Sequence, residues 1–463
     1  MFIYMKFEMM LTIIMFILIF LRIGKNTFTP GTMLSLINAL LLINFITGFF
    51  ANKEGSLFGN MFMTNAGIVF EKNLLNLGTF IISLQAYQWL KEHKHAIEFY
   101  ILLLATLMGM FFMLSSQNIL MFYLSLELST IPLAALVNFD LAKRRSSEAA
   151  VKYILSSAFS SGILLLGISF LYGTTGSLHF SEIAGLITLA PLQLFAFILI
   201  IAGFAFKISA VPFHLWTADV YEGSPVAITS YLSVISKGAI LFVFASALYS
   251  IFHPFEFVWK TVLTILIIPT LIIGNLFAIR QNNIKRFLAF SSIAQVGFIL
   301  VGMIGNTVEA SASVVYFILI YIFSNLGAFG IISIVSSTTG KEYISDYNAF
   351  YKTNPLLAWA FTICLFSLAG IPPTAGFFGK FFLIMSGAGE GNYILITLAA
   401  FNMVLSLYYY LKVVKAMFMD TNETPIQRIE IHVYPKLALL ICVAGVIVTG
   451  FVGGCYEYIH SLW

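Results

Sequence analysis

Residues 204–225 read FAFKISAVPFHLWTADVYEGSP. Lys207 stands in an otherwise apolar run, and Pro212 follows it closely. Proline has no amide hydrogen and clashes with the turn before it, so a helix that carries Lys207 breaks near Pro212. The carbonyls freed by the break must be met by water or by a side chain. A cation beside a broken helix, in apolar surroundings, marks a hydrated pocket inside a membrane. The reading of this stretch thus decides between a soluble core and a membrane-spanning chain.

Composition supports the second. The chain has 463 residues, of which 60% are hydrophobic and 10% charged, and its mean hydropathy is +0.96. A soluble protein of this size could not hide so much apolar surface, which predicts an all-α polytopic membrane protein. The net charge of +4 carries no argument for nucleic acid. Cys364, Cys442 and Cys455 each stand alone, without a CxxC pair, so iron–sulfur and zinc sites lack ligands. No glycine-rich nucleotide motif is present. The sequence therefore predicts no metal site, redox centre or cofactor in this chain.

A span needs roughly 20 apolar residues. About fourteen are predicted, at 3–21, 32–51, 65–90, 97–115, 118–138, 148–173, 191–214, 224–251, 258–279, 284–305, 311–336, 354–386, 392–418 and 434–460. The first reads as a retained span rather than a signal peptide. Loops after odd-numbered spans hold Arg22, Lys143, Arg144, Arg145, Arg280, Lys285, Arg286 and Lys341, whereas those after even-numbered spans hold little beyond Lys53 and Lys260. Such a bias puts the positive face in the cytoplasm and both termini on the periplasmic side of a cell inner membrane.

The chain also repeats itself. AFSSGILLLGISFLYGTTG (158–176) aligns without gaps to IFSNLGAFGIISIVSSTTG (322–340). The two copies lie five spans apart, and an odd offset inverts one relative to the other. The next span in each copy is broken by proline, at Pro212 in the first and at Pro372 and Pro373 in the second, and each broken span carries a lysine, Lys207 or Lys380. The expected organisation is a three-helix segment (1–96), a first five-helix repeat (97–252), a second inverted repeat (258–419) and a last helix (420–463).

Ionisable groups deep in a span cost several kcal/mol and are usually functional. Glu127, Lys207, Lys237 and Lys380 are the deep candidates, and Lys152 lies about one turn inside its span. Desolvation at a helix break penalises the charged form of a lysine, which lets the amine exchange a proton. The four form a candidate relay. His214 is a further candidate, and Ser291, Ser292 and Gln295 could hold water between the copies. Glu71 and Lys72 are adjacent, point in different directions, and read as interfacial or partner-facing. Asp219 and Glu222 read as shaping the loop before span eight.

VPFHLWTADVYEGSP (211–225), EAAVKYILSSAFSSGILLLG (148–167), GNLFAIRQNNIKRFLAFSSIAQVGF (274–298) and FSLAGIPPTAGFFGKF (366–381) resemble subunit N of the proton-pumping NADH:quinone oxidoreductase, respiratory complex I. DVYEG is the most specific stretch, because it separates subunit N from its sister antiporter-like subunits and from Mrp-type cation/proton antiporters, which share the fold. The resemblance implies two inverted five-helix bundles and proton translocation driven by quinone reduction elsewhere. It implies a Glu127–Lys207 pair, a central Lys237, an exit-side Lys380 and a further lysine at Lys152. It also implies that NADH, FMN, iron–sulfur clusters and quinone belong to partner subunits. One departure is that many relatives have histidine where this chain has Gln295, which cannot titrate. The alternative is an Mrp-type cation/proton antiporter subunit without redox coupling.

Overall fold

The computed structural model describes residues 3–24, 29–50, 53–305, 307–389 and 391–463. Long apolar runs close their backbone hydrogen bonds within helices, as a bilayer demands. In chain order the helices are α1 (Lys6–Ile23), α2 (Pro30–Thr47), α3 (Ala66–Lys91), α4 (Ala96–Leu114), α5 (Ile119–Val137), α6 (Arg144–Thr175), α7 (Phe180–Leu186), α8 (Pro191–Ile208), α9 (Leu215–Gly223) and α10 (Val226–Ser230). A π-helical turn, Tyr231–Ser236, joins α10 to α11 (Lys237–Ser250). Then follow α12 (Glu256–Arg280), α13 (Ile284–Met303), α14 (Val308–Thr339), α15 (Phe350–Thr353), α16 (Pro355–Ala369), α17 (Ala375–Ala388), α18 (Tyr393–Phe418), α19 (Val433–Phe451) and α20 (Gly454–His460). A hairpin of β1 (Gly55–Leu57) and β2 (Phe62–Thr64) precedes α3.

Twelve of these stretches are long and apolar enough to cross a membrane. Beside them, α1 has the length but holds Lys6, Glu8 and Arg22, and α16 with α17 forms one span cut in two. Together they match the expected count of about fourteen. The hairpin and the short helices α7 and α9 were not foreseen.

Paired local features carry the internal repeat. α6 and α14 each have 32 residues, and each ends on a left-handed glycine, Gly176 (φ 68°) and Gly340 (φ 70°). α5 and α13 both start under an asparagine cap: Asn118 accepts from the amides of Leu120 and Met121, and Asn283 from those of Lys285 and Arg286. The same asparagines make isolated antiparallel bridges, Asn118 to His179 and Asn283 to Tyr343.

The two breaks match in detail. α8 ends on left-handed Ser209 and α16 on left-handed Gly370. Val211–Pro212 and Pro372–Pro373 are both cis. The Ala210 amide donates to Ala205 and that of Phe213 to Ala210; at the second break Ile371 donates to Phe366 and Thr374 to Ile371. The lysines do not match: Lys207 precedes its break, in α8, whereas Lys380 follows its own, in α17. They are therefore two different uses of one break.

Close packing fixes the second break. A Cβ built on Gly376 would lie 1.7 Å from the backbone oxygen of Ser367, whose hydroxyl accepts from the Gly376 amide. Gly376→Ala must push α17, and Lys380 with it, off the end of α16, at a cost of about 1–3 kcal/mol or more. Gly185→Ala, with nothing within 4 Å of the new Cβ, is the neutral control. Thermal stability of the purified assembly checks both.

Candidate functional site

Two of the four deep candidates are fully buried or nearly so. Lys237 is 3% exposed and Lys380 0%. Lys207 and Glu127 are half-buried, but Lys207 is held by α5 and α6: its Nζ donates to Thr130 Oγ1 at 3.1 Å and to Ser157 Oγ at 2.8 Å. The expected direct pair with Glu127 is not formed. Glu127 lies one turn before Thr130 on α5, its Oε1 is buried without a hydrogen-bond partner, and among the described residues no cation stands within 4.0 Å of it. Two hydroxyls hold the lysine while the carboxylate acts on it through space. Tyr153, one turn before Ser157 on α6, lies within electrostatic reach of both Glu127 and Tyr221.

Lys237 follows the π-helical turn directly. Such a turn widens the helix locally and is frequent at functional sites. Its Nζ donates to Ser292 Oγ at 2.8 Å and lies 5.4 Å from the centre of the Tyr221 ring. Lys380 Nζ donates to the carbonyls of Leu368 (2.8 Å) and Ala369 (3.1 Å), which the second break leaves free, and faces the Phe298 ring at 4.7 Å. Among the described residues neither lysine has a carboxylate within ion-pairing distance, so the cost of a buried charge falls on each unrelieved.

α13 joins the two. Ser291, beside Ser292, is hydrogen-bonded to the Tyr410 hydroxyl. Gln295, one turn on, donates to that hydroxyl at 3.2 Å and to the Leu368 carbonyl at 2.9 Å. Gln295 and Lys380 thus share one acceptor. Two polar groups therefore sit on α13: Lys237 with Ser292, whose hydroxyl donates to the Ala289 carbonyl, and Ser291 with Tyr410 and Gln295, which shares the Leu368 carbonyl with Lys380. Tyr410 was missed from the sequence, because a tyrosine on an apolar helix gives no sign of which way its hydroxyl points.

The remaining candidates fall elsewhere. His214 begins α9 with both ring nitrogens buried and without a hydrogen-bond partner. Lys152 sits at the rim rather than along the line, bonded to Glu148 at 2.8 Å and Asp219 at 2.7 Å. At 32 residues α6 is about 48 Å long, well beyond the hydrocarbon core, so its first turns reach the charged edge. There Arg286 also binds Asp219 (2.7 Å) and Glu222 (2.9 Å). Asp219 and Glu222 therefore build an ionic cluster around a cavity of about 180 Å³.

Burial alone would raise the Asp219 carboxyl, but hydrogen bonds from Lys152 and Arg286 outweigh it and hold the group below its ordinary range. A depressed carboxylate contributes stability above its unfolded value and loses it as pH falls through the folded one. Asp219→Asn should flatten the acid limb of thermal stability against pH. An unchanged limb would remove Asp219 from the tie.

The expectation for Lys72 is corrected. It is 1% exposed, and its Nζ meets Glu8 Oε1 at 2.5 Å and Ser115 Oγ at 2.6 Å. The partner lies on another helix, so adjacency to Glu71 said nothing of it. Among the described residues no group of three or more His, Cys, Asp or Glu stands together as a metal site.

The chain is similar to known proteins in sequence and in fold. The profile of the family described as NADH:quinone oxidoreductase/Mrp antiporter, transmembrane, matches residues 116–406. The chain is 46% identical over 466 residues to NADH-quinone oxidoreductase subunit N of Phocaeicola vulgatus, covering 99% of this chain and 98% of that one. It superposes on a chain of respiratory complex I from Thermus thermophilus with a TM-score of 0.82 at 26% identity, covering 97% of each. A chain of the Mrp complex from Dietzia sp. DQ12-45-1b gives 0.86 at 19% identity, covering 98% of this chain and 96% of that one, a likeness of fold alone. The chain belongs to the NADH:quinone oxidoreductase/Mrp antiporter family and, within it, to the subunit N relatives of NADH-quinone oxidoreductase.

Proposed function

We propose that this chain carries protons through the membrane arm of an NADH:quinone oxidoreductase, with Glu127, Lys207, Lys237 and Lys380 as the relay. The observation that carries the reading is that two buried lysines without carboxylate partners both meet polar groups of α13, Lys237 at Ser292 and Lys380 at the Leu368 carbonyl it shares with Gln295. Such lysines can give up a proton, and hydroxyls with bridging water can pass it on. A change of charge near Glu127 alters the field at Lys207, and the disturbance passes to Lys237 and then to Lys380. Gln295 takes no proton itself; it orders the Tyr410 hydroxyl and shares the Leu368 carbonyl with Lys380.

In this reading the redox chemistry, with NADH, FMN, iron–sulfur clusters and quinone, belongs to the partner subunits, and this chain has no redox centre. The membrane is the cell inner membrane, with both termini on the periplasmic face. The chain divides into 1–96, 97–252, 258–419 and 420–463, and the paired caps and breaks support that division. DVYEG and the names of the relatives favour this reading over an Mrp-type antiporter.

Variants at the first pair test it. Lys207→Ala and Glu127→Gln should lower NADH-driven proton uptake by about tenfold or more, the scale of a lost acid–base group. The Lys207 change should be the larger, because it removes the carrier itself. Assembly on a native gel should be retained. Wild-type uptake in an assembled Lys207→Ala complex would sink the relay.

A further inference from the structure

Among the described residues no hydrogen bond joins the two polar groups on α13. Ser292 accepts from Lys237 and donates its own hydrogen to the Ala289 carbonyl, so a proton leaving Lys237 finds no onward donor there. Ser291 and Tyr410 begin the second group, which reaches Lys380 through Gln295 and the Leu368 carbonyl. Gln295 Oε1 in that group is buried without a hydrogen-bond partner. Transfer between the two lysines needs a further exchangeable hydrogen within reach of both groups.

α14 supplies one. Tyr321 is buried, and its ring lies nearly parallel to that of Phe317, one turn earlier, with the centroids 6.3 Å apart. Its hydroxyl is hydrogen-bonded to Ser233 Oγ at 3.2 Å. It also stands near Ser292 and within electrostatic reach of Tyr221 and Tyr410. Ser233 belongs to the π-helical turn, about one turn before Lys237. Asn325, one turn past Tyr321, fixes Ser233 by donating to its Oγ at 2.7 Å. Tyr321 is thus within reach of the Lys237 group and of the Tyr410 group.

The internal repeat points to the same residue independently. Tyr321 directly precedes the aligned stretch 322–340, as Ser157 directly precedes 158–176. Glu127 and Ser292 stand equally far past the capping asparagines Asn118 and Asn283. Where the first repeat sets Glu127 and Ser157 around Lys207, the second sets Ser292 and Tyr321 beside Lys237. Ser157 accepts a hydrogen bond from its lysine, so this position on the helix serves a relay lysine in the first copy. We propose that Tyr321 is a proton-transferring residue, its hydroxyl carrying protons between the Lys237 group and the Tyr410 group. The proposal rests on the proton-relay reading. The phenol oxygen takes a proton that left the Lys237 ammonium, through Ser233 or a water, while its own hydrogen leaves towards Tyr410. One O–H bond forms as another breaks, so the tyrosine is unchanged and Lys237 is left neutral until it is reprotonated from the Lys207 side.

The test compares assembled complexes in proteoliposomes. Tyr321→Phe keeps the ring beside Phe317 and removes only the hydroxyl, and NADH-driven proton uptake should fall several-fold. Tyr316→Phe is the control on the same helix. Tyr316 donates to the Thr449 carbonyl at 2.8 Å, so the control loses a comparable buried hydrogen bond away from the relay, and its uptake should stay at the wild-type rate. If both variants slow uptake alike, the cause is a loosened α14 and the role of Tyr321 is overturned. If Lys237→Met stops uptake while Tyr321→Phe pumps as wild type, the role of Tyr321 is overturned and the relay stands. If Lys237→Met itself pumps normally, the relay has failed and the role of Tyr321 falls with it. Should Tyr321→Phe not assemble, 3,5-difluorotyrosine is installed at position 321, which keeps ring and hydroxyl but releases its proton more readily. A changed uptake rate supports the proposal. The wild-type rate overturns it.

Discussion

Complexes carrying Lys237→Arg assemble but translocate protons about ten- to a hundredfold more slowly than wild type, the loss expected when a proton-transfer group no longer titrates. The guanidinium keeps the positive charge and can donate to Ser292, yet it does not release its proton. Size is the competing cause, since Lys237 is 3% exposed and packed against Tyr221. Lys237→Met separates the two, because it matches lysine in length and shape but carries no proton. Both variants should be inactive. An active Lys237→Met beside an inactive Lys237→Arg would mean that the site rejects bulk and that Lys237 carries no proton. NADH oxidation and proton uptake, measured together in vesicles, give the answer.

Lys380 answers differently, because it has two duties. Its ammonium caps the carbonyls of Leu368 and Ala369 at the second break, and in the relay it holds a proton. Lys380→Met removes both. Uptake should be lost, and stability should fall as well, by about 1–3 kcal/mol for a buried acceptor left unmet; Gln295 still serves Leu368 and limits the damage. Lys380→Arg keeps donors near both carbonyls but not the exchangeable proton. It should recover assembly and thermal stability while uptake stays low. If Lys380→Arg pumps normally, the residue is a cap and not a carrier.

Much of this was legible in the chain, for identifiable reasons. A proline can stop a membrane helix, and both breaks were readable at Pro212 and at Pro372 and Pro373, although Pro132 and Pro269 lie inside unbroken α5 and α12. Span length and the rarity of charge within spans made Glu127, Lys237 and Lys380 stand out. What could not be read was which groups meet. Lys207 is held by Thr130 and Ser157 rather than by Glu127, because its rotamer is set by the helices around it. Lys72 found Glu8 across 64 positions of sequence. The π-helical turn before Lys237 has no proline or glycine to signal it. Lys152 stayed ambiguous until α6 proved long enough to carry it to the rim, where Asp219 holds it. The first α13 serines and Gln295 were readable as polar, but their acceptor, the Leu368 carbonyl, exists only because α16 ends there.

The claim that protons cross along α13 between two buried lysines has one most direct test. Proton uptake and NADH oxidation are recorded in the same vesicles containing wild-type or Lys237→Met complex, with assembly checked by native gel. The account predicts an assembled variant whose proton uptake is lost. Wild-type uptake per NADH oxidised, at the wild-type rate, would contradict it.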